Sequence, residues 1–188
     1  MGKIIAIQFV TLDGVVEDPD GADGTAGGGW MWRFGADTVA GDKFKLGPIL
    51  ASGVLLLGRK TWEKWSNLWP HQPGDFAVAL NNMAKAVVSR SEPALEAWSN
   101  SSMLDGELVA GVKKLAQERD VVIAGSTSIV HQLAAADAID EYHLLFFPTA
   151  IGAGRKLFVA PVDLALTAVE QSGGAVLACY ERAATTTL

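Results

Sequence analysis

Val121-Val122-Ile123-Ala124-Gly125-Ser126-Thr127-Ser128-Ile129-Val130-His131 is the stretch whose reading decides the fold. Its first four residues are apolar and mostly β-branched, the composition of a buried strand. Gly125 breaks the run, hydroxyl residues follow, and Ile129, Val130 and Leu133 then recur at helical spacing. The stretch reads as strand, tight turn, helix start. Two readings of the turn stay open. Ser126 can be an ordinary N-cap, or the unpaired N–H groups of the first helical turn, beside a glycine and hydroxyl donors, can cradle a phosphate.

Working outward, Val54-Leu55-Leu56-Leu57-Gly58-Arg59-Lys60-Thr61-Trp62 repeats the pattern, with two cations in the first turn of the helix. Cations there oppose the helix dipole at about 0.3–1 kcal/mol each when exposed. An anion would relieve that cost, although Glu63 and solvent can also screen it. Ala86 to Arg90 reads as a third strand with Ser89 and Arg90 at its tip, which taken alone is a polar strand end in solvent. Lys3 to Val10 is a strand that empties into Thr11-Leu12-Asp13-Gly14-Val15-Val16, where Asp-Gly marks a turn.

Between these elements, Glu17 to Gly35 carries Pro19, Gly21, Gly24, Gly27, Gly28, Gly29 and Gly35 together with an exposed-looking Trp30-Met31-Trp32. Long loops inside compact domains are usually functional or disordered. This one reads either as a lid or substrate wall, or as aromatics that plug the core or a subunit contact. Asp37 to Ser52 predicts a helical stretch that Gly47-Pro48 should kink or split. Trp62, Trp65 and Trp69 form a stripe of the kind that belongs to a core. Asp75 is expected to cap a helix through Met83, Ala97 to Ser99 to form a minor strand, and Asp105 to cap a helix bearing Leu108, Val112 and Leu115.

After Asp137 the pattern turns to strands only. Ile139 to Pro148 is a long strand, and Leu164 to Ser172 and Ala175 to Glu181 flank Gly173-Gly174 as a hairpin. Alternating β and α followed by a β-only end implies an α/β fold in three layers. Its central sheet is mostly parallel, with helices on both faces and an antiparallel hairpin at the C-terminal edge. Ligands of such sheets bind outside the carboxyl ends of the strands, where Gly58, Arg90 and Gly125 all fall.

At 188 residues, with 49% hydrophobic and 19% charged, the chain has the size and apolar content of one domain, read as 1–182 with a frayed tail over 183–188. A net charge of −6 and the lack of any Lys/Arg run argue against a nucleic-acid-binding face and point to a small-molecule partner. The lone Cys179 cannot form an internal disulfide and reads as a structural residue in a reducing compartment. With neither a signal-peptide pattern nor an apolar run of membrane-spanning length, the expected location is the cytoplasm. No metal is expected.

The three strand ends offer an amide cradle at Gly125, Ser126, Thr127 and Ser128, a cationic helix start at Gly58, Arg59, Lys60 and Thr61, and the Ser89-Arg90 tip. A dinucleotide with a 2′-phosphate needs such donors: amides for a pyrophosphate, and cations for a phosphomonoester of about −2 charge. No G-x-G-x-x-G follows the first strand, so the standard dinucleotide fingerprint is absent.

Thr-Leu-Asp-Gly-Val-Val, Leu-Gly-Arg-Lys-Thr-Trp-Glu, Val-Val-Ser-Arg, Ile-Ala-Gly-Ser-Thr-Ser, and Asp-Glu-Tyr-His-Leu continuing to Gly154-Arg155-Lys156-Leu157-Phe158 occur in this order. Together they resemble the dihydrofolate reductase-like superfamily, and more closely its bacterial branch similar to the reductase domain of riboflavin biosynthesis. The resemblance runs from about Lys3 to Arg182. It implies an NADPH-dependent reductase, with Gly58 to Thr61 serving the pyrophosphate and 2′-phosphate, Ser89 and Arg90 the adenosine phosphate, and Gly125 to Ser128 the pyrophosphate. Asp13 and Gly14 would hinge a mobile loop over the nicotinamide, with Trp30, Met31 and Trp32 as its substrate-facing wall.

Where the family pairs glycines at the anchor turn, this chain has Ala124-Gly125. The family's acid for folate reduction has no clear counterpart. The candidates for proton donor are Asp37 and Asp42, of which Asp42, placed before Phe44 and Leu46, is better placed; Asp13 is a second candidate catalytic residue. A substrate other than dihydrofolate is therefore expected, a small pterin- or pyrimidine-like heterocycle or a carbonyl compound. A homodimer is expected as the working form. The rival readings are a nucleotide-binding module without turnover, and a dimeric scaffold in which the aromatic strand and the tryptophan loop are interface.

Overall fold

The computed structural model describes residues 1–183. In chain order the strands are β1 (Ile4–Thr11), β2 (Val54–Gly58), β3 (Ala84–Val88), β4 (Ser101–Met103), β5 (Val121–Gly125), β6 (Glu141–Phe147), β7 (Leu164–Ser172) and β8 (Ala175–Arg182). The helices are α1 (Ile49–Ser52), α2 (Arg59–Ser66), α3 (Asp75–Asn82), α4 (Leu108–Leu115) and α5 (Thr127–Ala135). The strands form one sheet in the order β4-β3-β2-β5-β1-β6-β8-β7. Pairing is parallel from β4 through β6. It becomes antiparallel where β6 meets β8 and β8 meets β7.

Side-chain alternation along the strands divides the core between the two faces of the sheet. Ile4, Ala6 and Val10 of β1 pack with Val121 and Ile123 against Val112 of α4 and Ile129, Val130 and Leu133 of α5. Ile5 and Ile7 point the other way, with Leu55, Leu57 and Val122, against Leu50 of α1, Trp62 of α2 and Leu80 of α3. Because both faces are covered, β2 and β5 are apolar along almost their whole length instead of alternating. Helices of eight or nine residues are marginal alone, so these buried faces hold them in place. Among the described residues no helix is long and apolar enough to cross a membrane.

The three-layer sheet and its C-terminal hairpin follow the sequence reading; five local expectations do not. The helix expected over Asp37 to Ser52 is reduced to a 3-10 turn at Ala36–Thr38 and the single turn of α1. Lys45 and Gly47 sit at φ 55 and φ 51, outside helical space. The apolar residues that suggested a helix are plugs instead: Phe44 stacks on Phe9 with ring centroids 5.2 Å apart, and Leu46 is buried. Trp30 and Met31, read as exposed, are core. Trp30 meets Phe147 edge-on at 5.3 Å and donates its indole N–H to Glu17 O at 3.0 Å, while Trp32 stays half exposed.

The minor strand lies at Ser101–Met103, beyond the Ala97–Ser99 expected. Glu107, not Asp105, holds the N-cap position of α4, and Asp105 pairs with Lys114 at 2.8 Å. Asp75 is the first helical residue of α3, with Gly74 before it as N-cap. The tail from Ala184 onward lies outside the described residues. Trp62 is core as read, its indole N–H donating to Ser101 Oγ at 2.9 Å.

One buried cation supports this face of the core. Lys85 is 1% exposed, yet its ammonium donates to Asn81 O (2.6 Å), Met83 O (2.9 Å) and Ser99 O (3.0 Å) and lies 4.3 Å from the centroid of the Trp98 ring. The bonds to Asn81 and Met83 satisfy carbonyls at the end of α3, and burial pushes the ammonium pKa down to about 8.

Candidate functional site

The carboxyl ends of the parallel strands bring the sequence-selected residues to one edge. β2 ends at Gly58 and β5 at Gly125, and the two turns pack directly on each other. A Cβ placed on Gly58 would lie 2.9 Å from Ser126 Oγ and 3.2 Å from Ser126 N, and one on Gly125 would lie 3.0 Å from Thr61 Oγ1. Gly125 stands at φ 149, and the Gly125–Ser126 peptide bond is cis. The starts of α2 and α5 thus stand side by side, each presenting the positive end of its dipole.

Neither helix start is capped by a side chain. Ser126, one of the two readings of the turn, is the N-cap by position but not by bonding, because its hydroxyl lies 2.7 Å from Ser128 Oγ and bonds there. Thr127 is buried and Ser128 exposed. Unclaimed amides, the Thr61 hydroxyl and this serine pair form a concave set of donors matched to phosphate oxygens.

The cations lie on the next strand and helix. Arg59 is held on both sides, its Nε donating to Glu63 Oε1 and its Nη1 to Ser91 Oγ, both at 2.7 Å. Ser89 Oγ in turn donates to Ser91 O at 2.5 Å, so the tip of β3 is tied to the start of α2. Lys60 and Arg90 are exposed and take part in no ion pair among the described residues. Ser91 had no signal in the sequence, since its role depends on the β2–β3 pairing.

At the end of β1, Asp13 is the knot of a separate network. Thr11 Oγ1 donates to its Oδ1 at 2.5 Å, Ile151 N to the same oxygen at 3.2 Å, and Gly152 N to Oδ2 at 2.8 Å. Lys156 Nζ donates to Asp13 O at 2.5 Å and to Oδ2 at 3.3 Å, while the Lys156 carbonyl accepts from His131 Nε2 of α5 at 3.0 Å. The Thr11 hydroxyl, then the Gly152 N–H, hold the Asp13 carboxyl well below the usual carboxylate range. The same contacts fix the Thr11–Val15 turn to residues 151–156. Lys156 and His131 were quoted in the motifs without a role, and only the fold brings them to Asp13.

Asp42 is also committed elsewhere. Its two carboxylate oxygens accept the N–H groups of Leu46 (2.9 Å) and Gly47 (2.7 Å), which folds the loop before α1. The glycine loop is fastened over the edge by Met31 N to Pro19 O (3.1 Å), Trp32 Nε1 to Asp20 O (3.1 Å), and Lys64 against Asp20 (3.4 Å) and Asp23 (3.2 Å). Asp18, itself buried, accepts from Asp23 N, Thr25 N and Thr25 Oγ1 at 2.9 to 3.0 Å and closes the loop on itself. Cys179 is half-buried, and burial, then Glu141 and Glu170, push its thiol pKa up, the opposite of an activated nucleophile.

Comparison with known proteins agrees with this architecture. The protein YwjB of Bacillus subtilis is 26% identical over 186 residues, covering 96% of this chain and 98% of that one. A proposed riboflavin biosynthesis protein of Shewanella sp. PV-4 superimposes with a TM-score of 0.73 at 19% identity, covering 97% of this chain and 99% of the other. A diaminohydroxyphosphoribosylaminopyrimidine deaminase/5-amino-6-(5-phosphoribosylamino)uracil reductase of Thermotoga maritima gives 0.62 at 15% identity, over 97% of this chain and 57% of that longer one. The shared fold is the dihydrofolate reductase-like one expected from the motifs. With the model of the RibD C-terminal domain matching residues 2–177, the chain belongs to the RibD C-terminal domain family.

Proposed function

We propose that this protein is an NADPH-dependent reductase acting on a small pyrimidine- or pterin-like heterocycle or a carbonyl compound. The observation that carries this reading is the back-to-back packing of the Gly58 and Gly125 turns, which joins two uncapped helix starts into one donor surface beside free cations. The residues present fit the cofactor. First-turn amides of α2 and α5 with Thr61, Ser126 and Ser128 would hold the pyrophosphate, and Lys60, Arg90 and Arg59 the 2′-phosphate. NADPH, when bound, supplies the hydride. The chain supplies position: the Asp13–Gly14 turn, clamped to residues 151–156, and the Trp32-bearing loop would wall the reacting end and limit its access to water.

Since both Asp13 and Asp42 accept loop N–H groups, water is the proposed source of the proton. The similarity to the Thermotoga uracil reductase supports a pyrimidine-like substrate for this family member as well. The protein is further proposed to work in the cytoplasm, as a homodimer, on a small molecule instead of a nucleic acid or membrane. A second reading, nucleotide binding without turnover, is favoured by the same engagement of both candidate carboxylates.

Tryptophan fluorescence titration with NADPH and NADH tests the site. The expected result is tight NADPH binding, weaker NADH binding, and a loss of about 10- to 100-fold for NADPH alone in Arg90→Ala, the worth of about one charge-assisted hydrogen bond. Equal losses for both cofactors would remove Arg90 from the 2′-phosphate. If neither cofactor binds the wild type, the reading fails. NADPH consumption across a panel of pyrimidines, pterins and quinones separates reductase from binding protein.

A further inference from the structure

His131 stands one helical turn into α5, four residues after Thr127 and on the same side of the helix. Its ring Nε2 lies 3.0 Å from the carbonyl oxygen of Lys156. A carbonyl only accepts, so Nε2 carries the hydrogen, in the neutral ring as in the protonated one. Lys156 makes the next link with its side chain. A Cβ placed on Gly14 would lie 3.9 Å from Lys156 Cδ, so the lysine stem passes over that glycine. Its ammonium then donates to Asp13 O at 2.5 Å and to Asp13 Oδ2 at 3.3 Å. One residue therefore joins α5 to the Asp13 turn.

The other bonds of this region run between its own two segments. Leu12 N donates to Thr149 O, Val16 N to Arg155 O and Leu157 N to Gly14 O, at 2.8 to 2.9 Å, and Val15 bridges Lys156 as an antiparallel neighbour. Among the described residues, His131 to Lys156 is the one hydrogen bond that ties residues 12–16 or 149–158 to a helix. Val16 and Leu157 also share an apolar core with Ile129 and Val130 of α5. Apolar packing is non-directional and leaves the segments free to slide, whereas a hydrogen bond sets their register against the helix.

We propose that His131 is a positioning residue, which holds the Asp13 turn in register with the phosphate cradle at the start of α5 and so carries the seating of the cofactor phosphates to the reacting end. The proposal rests on the NADPH reading above. A dinucleotide bridges the two places, its phosphates on the amides that open α5 and its nicotinamide beside Asp13 and Gly14. At the reacting end a displacement of about 1 Å costs on the order of 100-fold in rate. Loss of the His131 bond removes no phosphate donor, so it loosens the turn while leaving the cradle intact.

The test is amide hydrogen exchange of the full chain with 2′-phospho-ADP-ribose, which has the phosphates of NADPH and no nicotinamide. This probe engages the phosphate end alone, so slower exchange at Gly14, Val16 and Leu157 reports what α5 transmits. The expected result is protection of these amides by about 5- to 10-fold in the wild type, none in His131→Leu, and its return in His131→Gln, whose amide N–H reaches the same carbonyl. NADPH affinity, read by tryptophan fluorescence, stays within about 3-fold of wild type in both variants. With any substrate that turns over, kcat falls about 10-fold in His131→Leu at nearly constant KM for NADPH, and recovers in His131→Gln. That recovery excludes a proton-donor role, because an amide has no acidic proton to give. Lys156→Met keeps the carbonyl that His131 holds and removes the ammonium from Asp13. It should lose the same protection, and combining it with His131→Leu should add nothing, as two links of one chain require.

Protection that survives in His131→Leu, or losses that multiply in the double variant, would overturn the proposal and leave the NADPH reading standing. Should His131→Leu fail to fold, Lys156→Met and the wild type decide: absence of protection at Gly14, Val16 and Leu157 in the wild type overturns the proposal by itself. A wild type that binds no NADPH would overturn both.

Discussion

Asp13 gathers four donors on two carboxylate oxygens: Thr11 Oγ1 and Ile151 N on one, Gly152 N and Lys156 Nζ on the other. Each of them favours the ionised form, and the folded pKa falls below the unfolded one. The sign of the pH dependence follows. A carboxyl with a depressed folded pKa contributes stability that is present in full above the unfolded value of about 4 and is lost as pH falls below it toward the folded value. Asp13→Asn removes that contribution and turns an amide NH₂ toward at least one of the donors.

The expected outcome is a variant less stable than wild type at pH 7, with the gap shrinking as pH drops from about 5 to about 3, read by urea unfolding at each pH. A gap that stays constant over this range would show that the carboxylate's charge is not what the loops use. The motif singled out Asp13, and the structure ties it to residues 151–156. Its network of donors was not legible, because two of them come from 138 and 139 positions away and only the fold brings them there.

Among the elements, the two βα turns were the most legible part of the chain. An apolar run, a glycine and polar helix-start residues carry strand, turn and helix within about ten residues, so local composition sufficed. What the sequence did not reveal is that the turns touch. β2 and β5 are neighbours only because the chain crosses over between them, and no local pattern encodes that contact. The same limit explains the Asp37–Ser52 misreading. Phe44 and Leu46 have helical spacing, but their burial is against β1 and the core of the sheet, from a loop that Asp42 folds.

The contact between turns has a measurable consequence. Gly58 has φ −70, which any residue tolerates, so Gly58→Ala acts only through its Cβ, 2.9 Å from Ser126 Oγ and 3.2 Å from its N. The serine and the start of α5 must give way by a few tenths of an ångström, parting the two helix starts. NADPH affinity is expected to fall about 10-fold, roughly 1.4 kcal/mol, with the melting temperature lowered by only a few degrees. Unchanged affinity would mean that the two helix starts do not act on one ligand.

At the scale of the molecule, charge distribution decides what the edge can attract. The chain is acidic, with a net charge of −6, so an anionic cofactor meets repulsion at long range and attraction only near the cationic edge. The acidic loop beside that edge is partly neutralised, since Lys64 lies within 3.4 Å of Asp20 and 3.2 Å of Asp23, leaving Lys60 and Arg90 to set the sign of the local field. Salt affects the two contributions at different ranges. The Debye length shrinks from about 30 Å at 0.01 M to about 3 Å at 1 M, which removes the long-range repulsion first and weakens exposed cation–phosphate contacts as it shortens further.

NADPH carries about two more negative charges than NADH, all on the phosphomonoester that Lys60, Arg90 and Arg59 are proposed to hold. Raising salt from about 0.02 to about 0.5 M is therefore expected to weaken NADPH by about 5- to 10-fold and NADH by about 2-fold or less, in parallel fluorescence titrations. In Arg90→Ala the two salt slopes should draw together, because one of the charges producing the difference is gone. Parallel slopes in the wild type would mean that the cationic edge does not read the phosphomonoester, and that any preference for NADPH arises from shape.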